Sequence, residues 1–267
     1  MKEDKKVAVL ECYPCVQGEG RYAGVPHILI RTTGCKLRCM FKNSVCDTLF
    51  ASWFPEKGLF TIEDIKKVYE VNPQISYTLI SGGGPTLHPE LLSELVRVAK
   101  EYDHFVTIET EGSEYVETEA DFISLSPKLK SSVPIEGYKV EYLNRKRIIT
   151  KEEVQRHEEG RTNYEAMKKF IKAFTVRDST TYTGYQVDYQ FNYQFKFVIT
   201  DLEDIKEILH IQRLLSFSDE AIYLMPEGIV NSQLQLQRKD IIEECIKRGW
   251  NYSDRLHIIA YGNKRGV

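Results

Sequence analysis

The chain of 267 residues lacks any apolar run long enough to cross a membrane. A membrane-spanning helix needs about 20 apolar residues in succession, and no window here approaches that length. The short apolar run at Val7–Leu10 does not have the form of a signal-peptide core. A net charge of −3 without a long basic run gives no reason to expect a nucleic-acid surface. We therefore expect a soluble cytoplasmic protein with neither a membrane nor a nucleic-acid partner.

A disulfide framework is also not expected, although the chain has six cysteines. Cytosolic chains of this length seldom carry disulfides, and clustered cysteines in them more often bind metal or take part in redox chemistry. Cys35, Cys39 and Cys46 lie within twelve positions, and Cys12 and Cys15 form a separate C-x-x-C pair. The group of three is the first candidate for a functional site.

Short apolar runs alternate with amphipathic stretches along most of the chain. The runs that predict strands are Val7–Leu10, Ile28–Arg31, Ser76–Ile80, Phe105–Glu109, Phe122–Leu125, Gln194–Ile199 and Ala221–Leu224. Apolar residues at helical spacing predict helices around Ile62–Tyr69, Leu91–Ala99, Met167–Phe174 and Leu202–Leu209. Thr61 with Asp64 is typical of a helix start. This alternation favours an α/β fold with a mostly parallel sheet, and 42% hydrophobic residues can fill its core.

The segment 130–192 differs from the rest because it is polar and rich in tyrosine. It contains the charged run Asn144–Glu159. We interpret it as an insertion that carries a helix near residues 162–175, within a single domain that spans residues 1–267.

Three clustered thiols favour a soft or borderline metal, which means zinc or an iron–sulfur cluster. A structural zinc site takes four ligands, whereas this stretch supplies three cysteines and no histidine. Three cysteines on a four-iron cluster would leave one iron open to another ligand. Zinc stays an alternative because Cys12 and Cys15 could supply ligands, although strand alternation would direct them apart. Inert buried cysteines are the third interpretation.

The segments around the cysteines help to decide between zinc, an iron–sulfur cluster and inert buried cysteines. In order along the chain they are VQGEGRYAGVPHILIRTTGC, CDT, SGGGPTLHPE, IETEGS, SLSPKL, FKFVI, LMPEG and RLHIIAYGNKRGV. Together they resemble the 7-carboxy-7-deazaguanine synthases, a family of the radical S-adenosylmethionine (SAM) superfamily. The superfamily pattern is C-x3-C-x2-C, whereas this chain has C-x3-C-x6-C. The resemblance covers most of the chain, and segment 130–192 carries the least of it.

This resemblance implies a radical SAM lyase of queuosine and 7-deazapurine biosynthesis. Such an enzyme converts 6-carboxy-5,6,7,8-tetrahydropterin to 7-carboxy-7-deazaguanine with loss of ammonia. The implied cofactors are a 4Fe–4S cluster that cleaves SAM to a 5′-deoxyadenosyl radical, SAM itself, and magnesium. The implied fold is a modified partial (β/α) barrel of the radical SAM type, paired as a homodimer. A flavodoxin or ferredoxin is the implied electron donor.

The resemblance assigns the three clustered cysteines, Cys35, Cys39 and Cys46, as ligands of the cluster, with SAM on the open iron. The extra residues Met40–Val45 must then loop out so that Cys46 still reaches its iron. If this loop displaced Cys46, then Cys12 or Cys15 would be the third ligand.

Four positions match the substrate-binding residues of the family: Gln17, Glu19, Arg31 and His257. Their chemistry fits, because Gln and Glu can bind the amide and amine edge of a pterin and Arg pairs with a carboxylate through two hydrogen bonds. Thr48 matches the magnesium ligand of the family, and its hydroxyl oxygen suits a hard ion. Without the resemblance, His257 would be an ordinary core residue.

Six positions match the SAM-binding residues of the family: Asp47, Ser81, Gly82, Gly83, Ser126 and Lys128. Glycines at the end of a strand let the backbone approach a ligand closely. The superfamily usually has Gly-Gly-Glu-Pro here, with the glutamate on the methionine amino group, but Gly84 takes the place of that glutamate. We predict that Glu109, at the end of the next strand, makes this contact instead.

Two other functions compete with this interpretation. A radical SAM activase of a glycyl-radical enzyme would share the cysteine group but would not explain QGEG, SPK and RLH together. A zinc-stabilised binding protein without catalysis would be colourless after anaerobic purification, whereas an iron–sulfur protein would be brown.

Overall fold

The chain folds as a mixed α/β structure, seen here in a computed structural model that describes residues 5–176 and 190–266. The strands are β1 (Val9–Val16), β2 (Pro26–Thr32), β3 (Tyr77–Gly82), β4 (Phe105–Thr110), β5 (Phe122–Leu125), β6 (Lys139–Tyr142), β7 (Arg145–Ile148), β8 (Thr175–Val176), β9 (Gln190–Phe191), β10 (Tyr193–Ile199), β11 (Ile222–Pro226) and β12 (Asn251–Tyr252). The helices are α1 (Ile62–Glu70), α2 (Pro89–Glu101), α3 (Lys151–Arg161), α4 (Tyr164–Phe174), α5 (Asp204–Leu215), α6 (Asn231–Arg248) and α7 (Leu256–Tyr261). Within the described ranges, no helix is both long and apolar enough to span a membrane.

Eight of the strands form one sheet in the order β1–β2–β3–β4–β5–β10–β11–β12. β1 runs antiparallel to β2, and the other neighbouring pairs are parallel. Parallel neighbours need a crossover connection, which α1, α2, α5 and α6 each provide. The predicted α/β fold with a mostly parallel sheet is confirmed.

The two edges of this sheet come together through the segments that follow β1 and β12. The Gly20 N–H donates to the Ser253 hydroxyl at 2.8 Å, and the Leu256 N–H donates to the Gly18 carbonyl at 3.0 Å. Since residues 17–20 follow β1 and residues 253–256 follow β12, these bonds join the two ends of the sheet. The sheet is therefore curled into a partial barrel, as the resemblance to the family implied.

Side chains alternate between the inside of the barrel and the helices outside it, as strand geometry requires. In β10, Phe195 and Phe197 are buried in the main apolar core, whereas Lys196 between them lines the interior cavity. In β3, Ile80 packs in the core and Ser81 lines the cavity. The barrel is consequently held together on its outer face, while its inner face carries polar groups.

Local sequence signals account for where several elements begin. The Thr61 hydroxyl accepts the Asp64 N–H at 3.1 Å and the Asp64 carboxylate accepts the Thr61 N–H, which confirms the predicted helix start at α1. Pro89 opens α2, where a missing N–H costs no intrahelical bond. The predicted strands are all present, β5 with the predicted bounds and the others with shifted ones, and β1 continues to Val16 instead of ending at Leu10.

Segment 130–192 contains more regular structure than the sequence predicted. β6 and β7 pair as an antiparallel hairpin, and α3 lies in the charged run where no helix was predicted. The predicted helix is present as α4, whose Met167 and Phe170 are buried in the main core. Residues 177–189 of this segment lie outside the described part of the chain. α4 therefore belongs to the wall of helices around the barrel.

A smaller apolar cluster joins the β6–β7 hairpin to the cysteine-rich loop. Trp53 and Phe54 are buried against Val140 and Ile149, and Cys46 packs at the border of the cluster. The hairpin thus covers one side of the loop that carries the cysteines.

Candidate active site

A cavity of about 530 Å³ lies inside the barrel, mostly at the carboxyl ends of the parallel strands. Barrel enzymes bind ligands at this end, because the loops after the strands converge there. The residues that the sequence assigned to the site all line this cavity: Gln17, Glu19, Arg31, Cys35, Cys39, Cys46, Asp47, Thr48, Ser81, Gly82, Gly83, Glu109, Ser126, Lys128 and His257. The structure brings together predicted residues from segments far apart in the chain.

The cysteine loop follows β2 and contains a tight hairpin at its extra residues. Met40 and Val45 form an antiparallel bridge, and the Cys46 N–H donates to the Cys39 carbonyl at 3.1 Å. The extra residues therefore loop out, as predicted. Cys39 and Cys46 are left side by side at the base of the hairpin in spite of the longer spacing.

The three thiols of this loop are free and line the same cavity. Burial raises the pKa of each thiol, and the charges of Glu111 and of the other two cysteines raise the pKa of Cys35 further. Within the described ranges, no three His, Cys, Asp or Glu side chains converge as ligands of one metal ion. A 4Fe–4S cluster does not need such convergence, because each thiolate binds a different iron. The donor set of three free thiols in one cavity fits such a cluster with one iron left open.

Cys12 and Cys15 lie on opposite faces of β1, as strand alternation predicted. Cys12 is buried in the main core, where burial raises its pKa to about 12. Cys15 lines the cavity, and burial raises its pKa to about 11. The two cannot bind one metal ion together without a rearrangement of the strand, so the zinc alternative loses its second pair of ligands.

The turn after β1 carries Gln17 and Glu19 and packs against the start of α7. The Gln17 side chain accepts the Gly18 N–H at 2.8 Å, which fixes the turn. Gly18 lies so close to the ring of His257 that a side chain in its place would collide with Nδ1. Residue 18 must therefore be glycine for His257 to take its place in the cavity wall.

Two basic residues that the sequence analysis did not single out hold the acidic side chains of the cavity. Lys196 from β10 forms ion pairs with Glu19 and Glu109, and its side chain is only 3% exposed. Arg255, just before α7, forms ion pairs with Glu19 at 3.0 Å and with Asp47. Arg255 therefore connects the turn after β1 to the cysteine loop.

These charges set the protonation of the network. Burial alone would raise the pKa of Glu19, but the positive charges of Lys196 and Arg255 outweigh it and lower that pKa. Burial likewise opposes the charged form of Lys196, but Glu109 and Glu19 raise the pKa of its ammonium. Burial lowers the pKa of His257 despite the opposing charge of Glu19. At neutral pH, Glu19 is ionised, Lys196 is protonated and His257 is neutral.

Arg31 lies on β2 opposite Glu11 of β1. Its Nε donates to one carboxylate oxygen of Glu11 at 2.5 Å, and the other oxygen accepts the Nε–H of Arg265 at 2.6 Å. A guanidinium has five N–H donors, so Arg31 retains donors for a carboxylate ligand. The guanidinium of Arg265 lies 3.8 Å from the ring centre of Phe50, which holds the C-terminal segment at the cavity.

The glycine run after β3 packs directly on the backbone of the cysteine loop. Gly82 has a φ of +145° and lies against the backbone of Thr32, so a side chain there would be strained and would collide. The Gly84 N–H donates to the Gly34 carbonyl at 2.7 Å. This close contact explains why the sequence has glycines here.

Two carboxylates lie near this glycine run. Glu109 accepts the Ser81 hydroxyl at 3.1 Å and pairs with Lys196. Glu111 is closer to the third glycine, because a Cβ on Gly84 would lie 3.1 Å from a carboxylate oxygen of Glu111. The Glu111 carboxylate thus occupies the space beside the position where the superfamily has its glutamate.

The remaining predicted residues lie close to the cysteines. The Nζ of Lys128 donates to the Ser126 hydroxyl at 2.8 Å, just after β5. The positive charge of Lys128 opposes the effect of burial on the pKa of Cys39. The Thr48 hydroxyl lies 3.3 Å from the sulfur of Cys46. The predicted magnesium ligand and two predicted SAM contacts therefore surround the thiols.

Some residues that the sequence analysis missed had a detectable signal. Lys196 stands at an inward position of the apolar strand FKFVI, and a lysine is rarely buried there unless it is paired. Glu111 in IETEGS and Glu227 in LMPEG follow strand ends, where ligand sites of parallel sheets form. Arg255 opens the segment RLHIIAYGNKRGV, but its pairing with Asp47 had no local signal, since the two residues are 208 positions apart.

Comparison with known proteins relates this site to a family. A scan of protein-family models finds no match. The chain is 32% identical over 264 residues to a 7-carboxy-7-deazaguanine synthase of Rhodopirellula baltica, which covers 99% of this chain and 90% of that protein. A protein of the same name from Halobacterium salinarum is 29% identical over 259 residues, or 95% of this chain and 90% of that protein.

A solved structure supports the same fold. QueE from Escherichia coli superposes with a TM-score of 0.55 at 21% identity, over 93% of each chain. This likeness concerns the architecture, whereas the identity to the Rhodopirellula baltica protein concerns nearly the whole sequence. The chain therefore belongs to the 7-carboxy-7-deazaguanine synthase family of radical SAM enzymes.

Proposed function

We propose that this chain converts 6-carboxy-5,6,7,8-tetrahydropterin to 7-carboxy-7-deazaguanine with loss of ammonia. The observation that carries the proposal is that one cavity, in a member of this family, contains three free thiols together with every other predicted ligand-binding residue. Cations and carboxylates both line this cavity. It thus suits a ligand that has a carboxylate as well as amine and amide groups.

The proposed cluster ligands are Cys35, Cys39 and Cys46. When bound, the reduced cluster together with SAM supplies a radical that removes a hydrogen atom from the substrate, chemistry that side chains do not supply. The chain contributes three sulfur ligands on one wall and leaves the rest of the cavity for SAM and the substrate. Thr48, beside Cys46, is the proposed magnesium ligand, and its hydroxyl would act with substrate and water oxygens.

We place SAM along the glycine run after β3, near Asp47, with Ser126 and Lys128 available to its ribose and carboxylate. For the ammonium group, Glu109 remains the contact predicted from the sequence, although its carboxylate already pairs with Lys196. Glu111 is a second carboxylate for this contact. We favour Glu111 because its carboxylate lies beside Gly84 and because its negative charge raises the pKa of Cys35.

The substrate is proposed to bind between the turn after β1 and β2. Arg31 would pair with its carboxylate, because Glu11 fixes the guanidinium while leaving donors free. Gln17 and Glu19 would bind the amide and amine edge of the pterin. His257 is neutral at pH 7, so one ring nitrogen can accept a hydrogen bond or a proton from the substrate.

The interactions of the chain with other proteins are proposed on the same basis. A flavodoxin or ferredoxin would deliver the electron, and two copies of the chain would form a homodimer in the cytoplasm. No nucleic-acid partner is proposed, because a net charge of −3 without a long basic run gives no reason to expect one.

The proposal is tested by anaerobic reconstitution with iron and sulfide, followed by SAM, magnesium, a strong reductant and the carboxytetrahydropterin. Mass spectrometry should detect 7-carboxy-7-deazaguanine. Cys46→Ala should lose both the cluster and the product, whereas the matched variant Cys245→Ala should keep both, because Cys245 lies on α6 and does not line the cavity. A protein with an intact cluster that forms no deazaguanine would refute the substrate assignment.

A further inference from the structure

The hairpin at Met40–Val45 is part of the cavity wall. The N–H of Phe41 donates to the Ser44 carbonyl at 2.8 Å across the turn, and Phe41, Ser44 and Val45 line the cavity. The base of the hairpin packs on the apolar cluster around Trp53. The tip has no such apolar support, because Lys42 and Asn43 are exposed. Another contact must therefore hold the tip in place.

Glu227 provides this contact from the other side of the cavity. One carboxylate oxygen accepts the side-chain N–H of Asn43 at 2.7 Å and its backbone N–H at 3.3 Å. The other oxygen accepts the Ser44 hydroxyl at 2.6 Å. Both oxygens of one side chain are therefore bonded to the tip of the hairpin.

The backbone of Glu227 is itself fixed by the barrel. Glu227 directly follows β11, its N–H donates to the Ile199 carbonyl at 2.9 Å, and its carbonyl accepts the side chain of Gln237 at 2.7 Å. These bonds come from the end of β10 and from α6. The Glu227 carboxylate therefore holds the tip of the hairpin at a fixed position relative to the sheet.

The energetics of burial make this contact strong. Glu227 is 2% exposed, and none of the ion pairs found in the described part of the chain includes it. A buried carboxylate without a cation is costly unless hydrogen bonds satisfy its oxygens. Here those bonds come from Asn43 and Ser44, so moving the tip away would break every hydrogen bond that the carboxylate makes to the residues that the structure describes.

We propose that Glu227 is a positioning residue for the third cluster ligand, because it fixes the hairpin whose base carries Cys39 and Cys46. The extra residues between these two cysteines would otherwise let Cys46 move relative to Cys35. Glu227 thereby compensates for the longer spacing of this chain. The inference rests on the proposed function, since it concerns how the same three thiols are held.

The test measures how fast iron leaves the anaerobically reconstituted protein in the presence of an iron chelator. Glu227→Ala should release iron roughly tenfold faster than wild type, because charged hydrogen bonds to the tip are lost. Glu227→Gln keeps one carbonyl oxygen for Ser44 or Asn43, so its rate of iron release should lie between the rates of wild type and Glu227→Ala. Glu243→Ala, an exposed glutamate of α6, is the matched control and should match wild type.

A second set of variants separates positioning from general stability. The double variant Asn43→Ala/Ser44→Ala should release iron nearly as fast as Glu227→Ala, and adding Glu227→Ala to it should cause little further acceleration, because only the bond from the Asn43 backbone N–H is left to lose. The spectrum of the reduced cluster by electron paramagnetic resonance should change in the same variants. If Glu227→Ala only lowers the melting temperature, or if the tip variants and Glu227→Ala act additively on iron release, the inference is wrong.

The outcome for Glu227 is distinguishable from that for the proposed function. A wild-type protein that holds a cluster and forms no deazaguanine contradicts the function, while the iron-release comparison still decides the role of Glu227. Equal release from wild type and every variant contradicts the role of Glu227 even if the product forms. A wild-type protein that takes up no cluster overturns both.

Discussion

At the scale of single residues, the cavity depends on charges that compensate each other. Lys196 is buried between Glu19 and Glu109, and Arg255 bridges Glu19 and Asp47. Removing one member of a buried ion pair costs more than the pair contributes, because the partner is left as an isolated charge. A substitution that removes one partner of an ion pair in this network should therefore lower the stability of the fold more than a double substitution that removes both partners.

Lys196→Met is expected to lower the free energy of unfolding by roughly 3 kcal/mol, because Glu109 loses its cation in a buried place. Urea denaturation of the apoprotein measures this change. Lys196→Met/Glu109→Gln should recover part of the loss, since it also removes the uncompensated charge. If Lys196→Met alone is as stable as wild type, water reaches the ion pair between Lys196 and Glu109.

The two carboxylates near the glycine run lead to a prediction for SAM binding. Glu111→Gln should weaken SAM binding to the reconstituted protein by roughly tenfold, the effect of one charge-assisted hydrogen bond. Glu109→Gln should weaken it less, because Glu109 is occupied by Lys196. Equilibrium dialysis with labelled SAM compares the two. The reverse order would favour the contact predicted from the sequence.

The buried side chain of His157 should make the stability of the fold depend on pH. It is fully buried, its Nδ1 accepts the Arg38 N–H at 3.0 Å, and burial together with the charge of Arg161 lowers its pKa to about 4. Below pH 6.5 the unfolded chain binds a proton that the folded chain does not. Stability present above that pH is therefore lost as the pH falls, by about 2 kcal/mol at pH 5.

The measurement compares urea denaturation at pH 7.5 and pH 5 for wild type and His157→Asn. The asparagine oxygen can still accept the Arg38 N–H, but it does not titrate. The difference in stability between the two pH values should shrink in the variant by about the same 2 kcal/mol. An unchanged difference would mean that other groups cause the loss at low pH.

At the scale of elements, the sequence predicted the strands and helices of the main sheet better than it predicted segment 130–192. The closing of that sheet into a barrel was implied only by the resemblance to the family. Strands such as β5 and helices such as α1 and α4 have clear apolar periodicity, so their positions were predicted within a few residues. α3 is polar on most of its surface, so periodicity did not reveal it. Its capping box, Thr150 with Glu153, is the one local signal of a helix start in this run.

The two capping boxes offer a matched pair of variants. Thr150→Ala and Thr61→Ala should each lower the free energy of unfolding by about 1 kcal/mol, the usual effect of losing an N-cap. Only Thr150→Ala should also speed the loss of iron from the cluster, because α3 carries His157, which binds the backbone of Arg38 next to Cys39. Iron release and urea denaturation measure the two effects. Equal iron release from both variants would contradict this role of α3.

At the scale of the whole molecule, the site joins parts of the chain that no local pattern connects. The residues that the resemblance to a family identified all line the cavity, but the pairing of Glu11 with Arg265 spans 254 positions. Such pairings depend on how the sheet curls, which brings the turn after β1 to the segment before α7. Composition and periodicity indicate which elements form, and they carry little information about how the ends of the sheet meet.

Arg265→Ala tests the role of the C-terminal segment. Without Arg265, Glu11 keeps Arg31 as its cation and draws it more strongly, so Arg31 becomes less available to the substrate carboxylate. We expect KM for the carboxytetrahydropterin to rise by roughly tenfold while kcat changes little, since a uniform binding contact is lost. Steady-state kinetics by mass spectrometry measures both constants. A fall in kcat at constant KM would contradict this explanation.

The alternation along the barrel strands has a consequence for how this protein can change over generations. In β10 the outward residues Phe195 and Phe197 hold the fold, and the inward Lys196 holds the carboxylates of Glu19 and Glu109 in the cavity. Heritable changes at neighbouring positions therefore meet different kinds of selection, one for protein abundance alone and the other for abundance and catalytic activity together. A scan of all substitutions along this strand, scored separately for protein level and for activity per molecule, should lower protein level at all three positions and activity per molecule at Lys196 alone.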